Sequence, residues 1–107
     1  MERLYVLVRS DLTPGMKLAQ SCHAMAAFAA DHPSVTALWH TEGNNLVCLE
    51  VANEQDLLDL AERARAIGAL TSLFTEPDLG GQATAAAVSG EAKGLLRRYP
   101  LALKVAA

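Results

Sequence analysis

Three stretches of the sequence carry side chains able to do chemistry. The first is Met16, Lys17, Gln20, Ser21, Cys22 and His23. At about 100° per residue, Gln20 and His23 share a helical face with Met16 and Ala27. Leu18, Cys22, Met25 and Ala29 fall on the opposite face, which reads as the core stripe. Lys17 projects to the side, nearer Gln20 than His23. A Gln–His face bordered by small residues lets a ligand or partner approach the backbone. The plainer reading is a partly buried, hydrogen-bonded His beside a surface Gln, and composition alone favours it. Cys22 and His23 do not form a nucleophile–base pair, because neighbouring helical residues do not face each other. Cys22, Cys48, His23, His32 and His40 show neither an i,i+4 pair nor C-x-x-C spacing, so no metal site is expected.

The second stretch runs from Thr75 to Thr84 and holds Glu76 and Asp78 on a loop shaped by Pro77, Gly80 and Gly81. Sites in open α/β sheets gather at loops beyond strand C-termini. A carboxylate there orients a Lys or His, or positions a water. The alternative is an ordinary solvated acidic turn. The third stretch is basic: Lys93, Arg97, Arg98 and Lys104, with Lys93 and Arg97 as i,i+4 neighbours. Such a cluster can meet phosphates; otherwise it is the solvated face of a helix.

The elements that must position these groups follow from pattern and punctuation. Residues 3–9, RLYVLVR, form a strand buried on both faces. Thr13 caps a helix that begins at Pro14 and runs to about Asp31, and His32-Pro33 ends it. Ser34 caps a shorter helix carrying Val35, Leu38 and Trp39. Glu42-Gly43-Asn44 is a turn, and residues 46–51, LVCLEV, are a second strand. Asn53 caps a third helix, with Leu57, Leu58, Ala61, Ala64 and Ile67 as its stripe and Gly68 just past its end. Residues 70–75 are a third strand. Residues 83–88, ATAAAV, have the propensity of a helix but the position of a short buried strand, and they are assigned as strand. Residues 91–99 are a last short helix, and 100–107 a tail with no evident anchor, though with Leu and Val side chains able to dock. The order implies βαβ units in a small mixed, largely parallel sheet flanked by helices.

The 107 residues bound the rest. They suffice for one domain, with a core over 3–90 and a variable C-terminal helix and tail over 91–107. A hydrophobic fraction of 51% with 20% charged residues excludes intrinsic disorder. No apolar run reaches the ~18–20 residues of a membrane span, and the N-terminus lacks a secretory pattern. Cys22 and Cys48 read as free buried thiols of a cytoplasmic protein. The net charge of −3 argues against broad non-specific binding to nucleic acid.

Taken together, VLVRSDLTPGMKLAQSCHA at 6–24, the LxxLxxxAxxxG pattern at 57–68 and TSLFTEPDLGGQATAAAVSG at 71–90 resemble the peptidyl-tRNA hydrolase 2 family. The specific part is an R-x-D-L start, a glycine, then a helix with A-Q-x-x-H-A. The resemblance implies an α/β fold, a four-stranded mixed sheet flanked by helices on both faces. It implies hydrolysis of the ester joining a peptide or acylated amino acid to the 3′ ribose of tRNA, with no cofactor, in a homodimer. It places Lys17, His23, Glu76, Asp78 and Thr84 as catalytic residues around one cleft, supported by Gln20. After Gly90 the chain departs from the family pattern, and the basic cluster of Lys93, Arg97 and Arg98 is the candidate for holding the RNA. The family lysine four residues before the glutamine is Met16 here, and Lys17 stands one position later. Glu76 takes the place of a loop aspartate by spacing, with Asp78 competing, and Thr84 matches a threonine that opens the last strand. The alternative function is a non-catalytic RNA- or protein-binding module on the same fold.

Overall fold

The computed structural model describes residues 3–104. Strand β1 (Arg3–Arg9) is followed by helices α1 (Pro14–Asp31) and α2 (Pro33–Thr41), then β2 (Asn45–Val51), α3 (Glu54–Ala66), β3 (Thr71–Glu76) and β4 (Gln82–Ser89). Short 3-10 turns occupy Pro77–Leu79 and Gly90–Leu95. The strands form one mixed sheet in the order β2-β1-β4-β3. β1 and β2 are parallel, but β4 runs antiparallel to both β1 and β3, so two of the three pairings are antiparallel and the sheet is mixed rather than largely parallel. The short return from β3 through 77–81 inserts β4 as a hairpin partner, which only antiparallel pairing allows.

β1 is central and its residues alternate between two cores, which is why its sequence is a continuous apolar run. Leu4, Val6 and Val8 pack with Ala85, Ala87, Ala24, Phe28 and Trp39 under α1 and α2. Tyr5 and Leu7 pack on the other face with Leu49, Val51, Leu57, Leu60, Ala64, Ala86 and Val88 under α3. The assignment of 83–88 as strand therefore holds against its helix propensity. Its alanines let helices on both faces sit close to the sheet.

Four further expectations need correction. The core stripe of α1 is Gln20, Ala24 and Phe28, not Leu18, Cys22, Met25 and Ala29. Leu18 is 60% exposed, and Cys22 is an exposed free thiol. The alanine floor of β4 leaves room for Phe28, so the helix turns that row inward. α2 begins at Pro33 with His32 at its cap position and no side-chain cap, so Ser34 lies inside it. The segment after β4 is a 3-10 turn ending at Leu95 rather than a helix over 91–99. Gly90 and Gly94 weaken an α-helix there. Finally, the tail is anchored. Glu50 N–H donates to the Pro100 carbonyl at 2.9 Å and Ala102 N–H to the Cys48 carbonyl at 2.8 Å, around an antiparallel bridge between Leu49 and Leu101. Residues 105–107 lie outside the described residues. The tail thus covers the open edge of β2, which would otherwise present unpaired backbone groups.

Because β1, β2 and β3 point the same way, their C-terminal ends meet at one end of the sheet. The N-termini of α1 and α3 and the start of β4 join them there.

Candidate active site

At that end, β4 carries an irregularity. Phe74 pairs with Ala85, but Thr75 pairs with Ala83, so Thr84 is the extra residue of a β-bulge. Regular alternation would send Thr84 toward α3 with Ala86 and Val88. The bulge turns it toward α1 instead, as bulges beside functional sites commonly do. The tight return into β4 runs through Gly80 (φ +65°) and Gly81 (φ +80°), which occupy left-handed conformations that favour glycine.

Thr84 is fully buried, and its hydroxyl donates to Gln20 Oε1 at 2.6 Å. Gln20, itself 2% exposed, donates through Nε2 to Glu76 Oε1 at 2.9 Å. A carboxylate only accepts, so the amide nitrogen must face Glu76 and the amide oxygen must face Thr84. The result is a directed chain, Thr84 to Gln20 to Glu76. It ends on a carboxylate whose second oxygen points outward, with only a long 3.5 Å contact from Asp78 N–H. All three polar groups are satisfied, and no buried side-chain polar atom among the described residues lacks a partner.

The bulge leaves Ala83 to be held by side chains. Glu54, in the first turn of α3, accepts from Ala83 N–H at 2.7 Å. Arg9 Nη1 donates to the Ala83 carbonyl at 3.2 Å and to Gln82 Oε1 at 2.8 Å. The rest of the Arg9 fork grips Asp11 with two bonds of 2.9 Å. The bond from Arg9, reinforced by its charge, holds the Asp11 carboxyl below its ordinary value, and Asp11 raises Arg9 in return. Arg9 and Asp11 are the R-x-D pair of the sequence. Their two-residue spacing at a strand end was the available signal that one side of the chain carries both. Glu54 had no such signal, because an acidic first turn is ordinary helix chemistry.

Lys17 lies toward β2. Its ammonium meets Glu50 Oε1 at 3.3 Å, and both side chains are 14% exposed. His23 is exposed and stacks on Phe74 of β3, with ring centroids 4.6 Å apart and planes 15° from parallel. It is not part of the hydrogen-bonded chain. Asp78 sits exposed in the 3-10 turn after Glu76. The structure therefore brings Gln20, Glu76 and Thr84 into contact and sets Lys17 and His23 on either side of them along α1. Among the described residues, no three His, Cys, Asp or Glu side chains converge as metal ligands would.

The basic residues lie elsewhere. Leu95 and Tyr99 pack on the α3 core, so Arg97 and Arg98 belong to the face of the sheet opposite α1. With Gly94 and Leu95 they line an open cavity of about 290 Å³, and Arg63 from the last turn of α3 joins them. Arg98 also sits 5.9 Å from the Tyr99 ring centroid. Among the described residues, the Lys and Arg ion pairs with carboxylates are Arg9–Asp11 and Lys17–Glu50. These arginines have no such partner. Lys93 is exposed on the same turn but outside the cavity lining. Arg63 carries no mark in the sequence, because only folding brings it beside residues 94–98.

Cys48 is half-buried, and burial pushes its thiol up, with a smaller contribution from Cys22. No helix among the described residues is long and apolar enough to cross a membrane.

The family model for peptidyl-tRNA hydrolase PTH2 matches residues 3–104. No curated protein matches the chain. Among solved structures, a protein of unknown function from Agrobacterium tumefaciens strain C58 superposes with a TM-score of 0.67 at 15% identity. The match covers 92% of this chain and 96% of that one, and it supports the fold alone.

Proposed function

The chain belongs to the peptidyl-tRNA hydrolase PTH2 family, and from that premise we propose that it hydrolyses the ester between a peptide or acylated amino acid and the 3′ ribose of tRNA. The observation that carries this reading is the buried Thr84–Gln20–Glu76 chain ending on a carboxylate, with Lys17 one turn before Gln20 on α1. In that reaction a water oxygen bonds to the ester carbonyl carbon, and the C–O bond to the ribose breaks. A proton from the water passes to the leaving 3′ oxygen. Glu76 receives the water's proton and returns it to the leaving group. Gln20 and Thr84 hold Glu76 in one orientation, so no reorganisation is needed as charge develops. Lys17 faces the oxyanion or the adjacent phosphate with the N–H donors that Glu50 does not use. Asp78 forms the rim. The exposed His23 ring, stacked on the half-buried Phe74, offers a surface for an unpaired base of the acceptor end.

Arg97, Arg98 and Arg63 take phosphates of the tRNA body, with Lys93 at their margin. The protein acts in the cytoplasm, as a homodimer.

The test is hydrolysis of a purified N-acylaminoacyl-tRNA by the unmodified protein and by Lys17→Ala, Glu76→Gln and Asp78→Asn variants. Cleavage that falls in the first two and persists in the third supports the assignment. Cleavage kept in Glu76→Gln and lost in Asp78→Asn moves the base to Asp78. A second reading, an RNA-binding module without turnover, draws on the unpaired arginines lying away from the cleft. Salt-dependent tRNA binding without release of the acyl group would establish it instead.

A further inference from the structure

Glu50 is used twice. Its Oε1 meets the Lys17 ammonium at 3.3 Å, and its Oε2 accepts from the backbone N–H of Leu103 at 2.6 Å. Leu103 adopts φ +58°, a left-handed conformation that a leucine rarely holds unless its surroundings impose it. What holds it is the tail pairing along β2, on one side, and the charge-assisted bond to Glu50 on the other. The tail contributes little to the core: Leu101 is 58% and Leu103 43% exposed. Its hydrophobic gain is therefore small, while its contact with Glu50 is short and charged.

We propose that Glu50 is a positioning residue through which the C-terminal segment Pro100–Leu103 sets the place of Lys17. With Oε2 occupied by Leu103, the carboxylate cannot turn both oxygens on the lysine. Lys17 meets one oxygen at a distance beyond the ~2.7–2.9 Å of a tight charge-assisted bond. It keeps its other N–H donors for substrate. Without the strap, Glu50 rotates freely, pairs fully with Lys17 and withdraws it. This rests on Lys17 acting in the reaction as proposed above, but the coupling itself is a property of the free protein.

Two arms separate the claims. The first is amide exchange at Leu103 in the full chain. By linkage, whatever the strap does to Lys17, Lys17 must do to the strap. The Leu103 amide is expected to exchange about tenfold faster or more in Glu50→Gln, and faster also in Lys17→Met. Unchanged protection in both variants overturns the proposal whether or not the protein cleaves tRNA esters. The second arm is kinetic, using a chain ending at Tyr99, Glu50→Gln, and the two combined. Each change alone is expected to lower kcat about tenfold with KM within about twofold, and the combination to be no worse than the stronger single change. Additive losses, or a truncated chain with full kcat, overturn it. If the shortened chain does not fold, full-length Leu103→Pro replaces it, since proline has no N–H and cannot reach φ +58°. If the unmodified protein does not cleave the ester, the functional reading fails and the exchange arm still decides the coupling.

Discussion

The two ends of this molecule treat positive charge in opposite ways. At the C-terminal ends of β1, β2 and β3, both cations are spoken for: Arg9 by Asp11, and Lys17 by Glu50. Glu54, Glu76 and Asp78 add further acid there. On the opposite face, Arg63, Arg97 and Arg98 surround an open cavity with no carboxylate partner among the described residues. The first arrangement fixes groups within narrow limits and is poor at attracting a polyanion. The second is suited to attracting an anion and fixes nothing. An RNA ester enzyme needs both, because steering depends on net local charge while turnover depends on preorganisation. On the proposed function, the separation would let a chain with a net charge of −3 present a local positive surface to tRNA.

The sharpest way to break this division is at Gln20. Gln20→Leu keeps the volume but leaves the Thr84 hydroxyl and Glu76 without their shared partner. Turnover is expected to fall about a hundredfold and stability by about 1–3 kcal/mol, read by single-turnover kinetics and urea unfolding. Unchanged turnover would remove the chain from the mechanism. Next is Arg9→Met, which frees Asp11, Gln82 and the Ala83 carbonyl together. A loss of about 2–3 kcal/mol is expected, because a mostly buried, multiply bonded cation is removed. Turnover should fall with it as the bulge loosens its hold on Thr84. Stability lost with turnover intact would show that the bulge does not depend on the clamp.

Substitutions in the arginine cavity should act on binding alone. Arg97→Ala with Arg98→Ala is expected to raise KM about tenfold at moderate salt and leave kcat unchanged. It should also flatten the salt dependence by about one unit of slope for each phosphate released from an arginine. A fall in kcat would mean that the two regions are not separate. The smallest effect concerns acid. Asp11 is held below its ordinary value of 3.8 by Arg9. Its contribution is therefore complete above that value and is lost as pH falls through the lower folded-state value. Asp11 is 43% exposed as a side chain, so the contribution is modest. Melting curves from about pH 5 downward should show a steeper decline in the unmodified protein than in Asp11→Asn. Parallel curves would mean that the pair contributes nothing there.

Much of this was legible in the residues. Thr13 and Asn53 cap the helices that they mark. The continuous apolar run of β1 announced a strand covered on both faces, and Gly68, at φ +90°, follows α3 as expected. The residues that join at the C-terminal end of β1, Gln20, Glu76 and Thr84, were all visible as types capable of chemistry. Their partners Glu50 and Glu54 were not. A glutamate in LVCLEV or in a helix's first turn carries no local mark of what it will meet.

Local patterning could decide the elements because capping, propensity and alternation act over a few residues. It could not decide which row of α1 turns inward. An alanine-rich helix presents two rows of similar apolarity, and the choice fell to the fit of Phe28 over the alanines of β4. Nor could it place Thr84, since regular alternation aims that residue at α3. Only the paired registers of β3 and β4, with Thr84 as one extra residue on β4 opposite the Phe74–Thr75 step, turn it toward Gln20. The same holds for the tail, whose anchoring depends on an open strand edge and a carboxylate 53 residues away in the chain. Those three decisions are contacts distant in sequence, where the free energy depends on what the rest of the chain has already assembled.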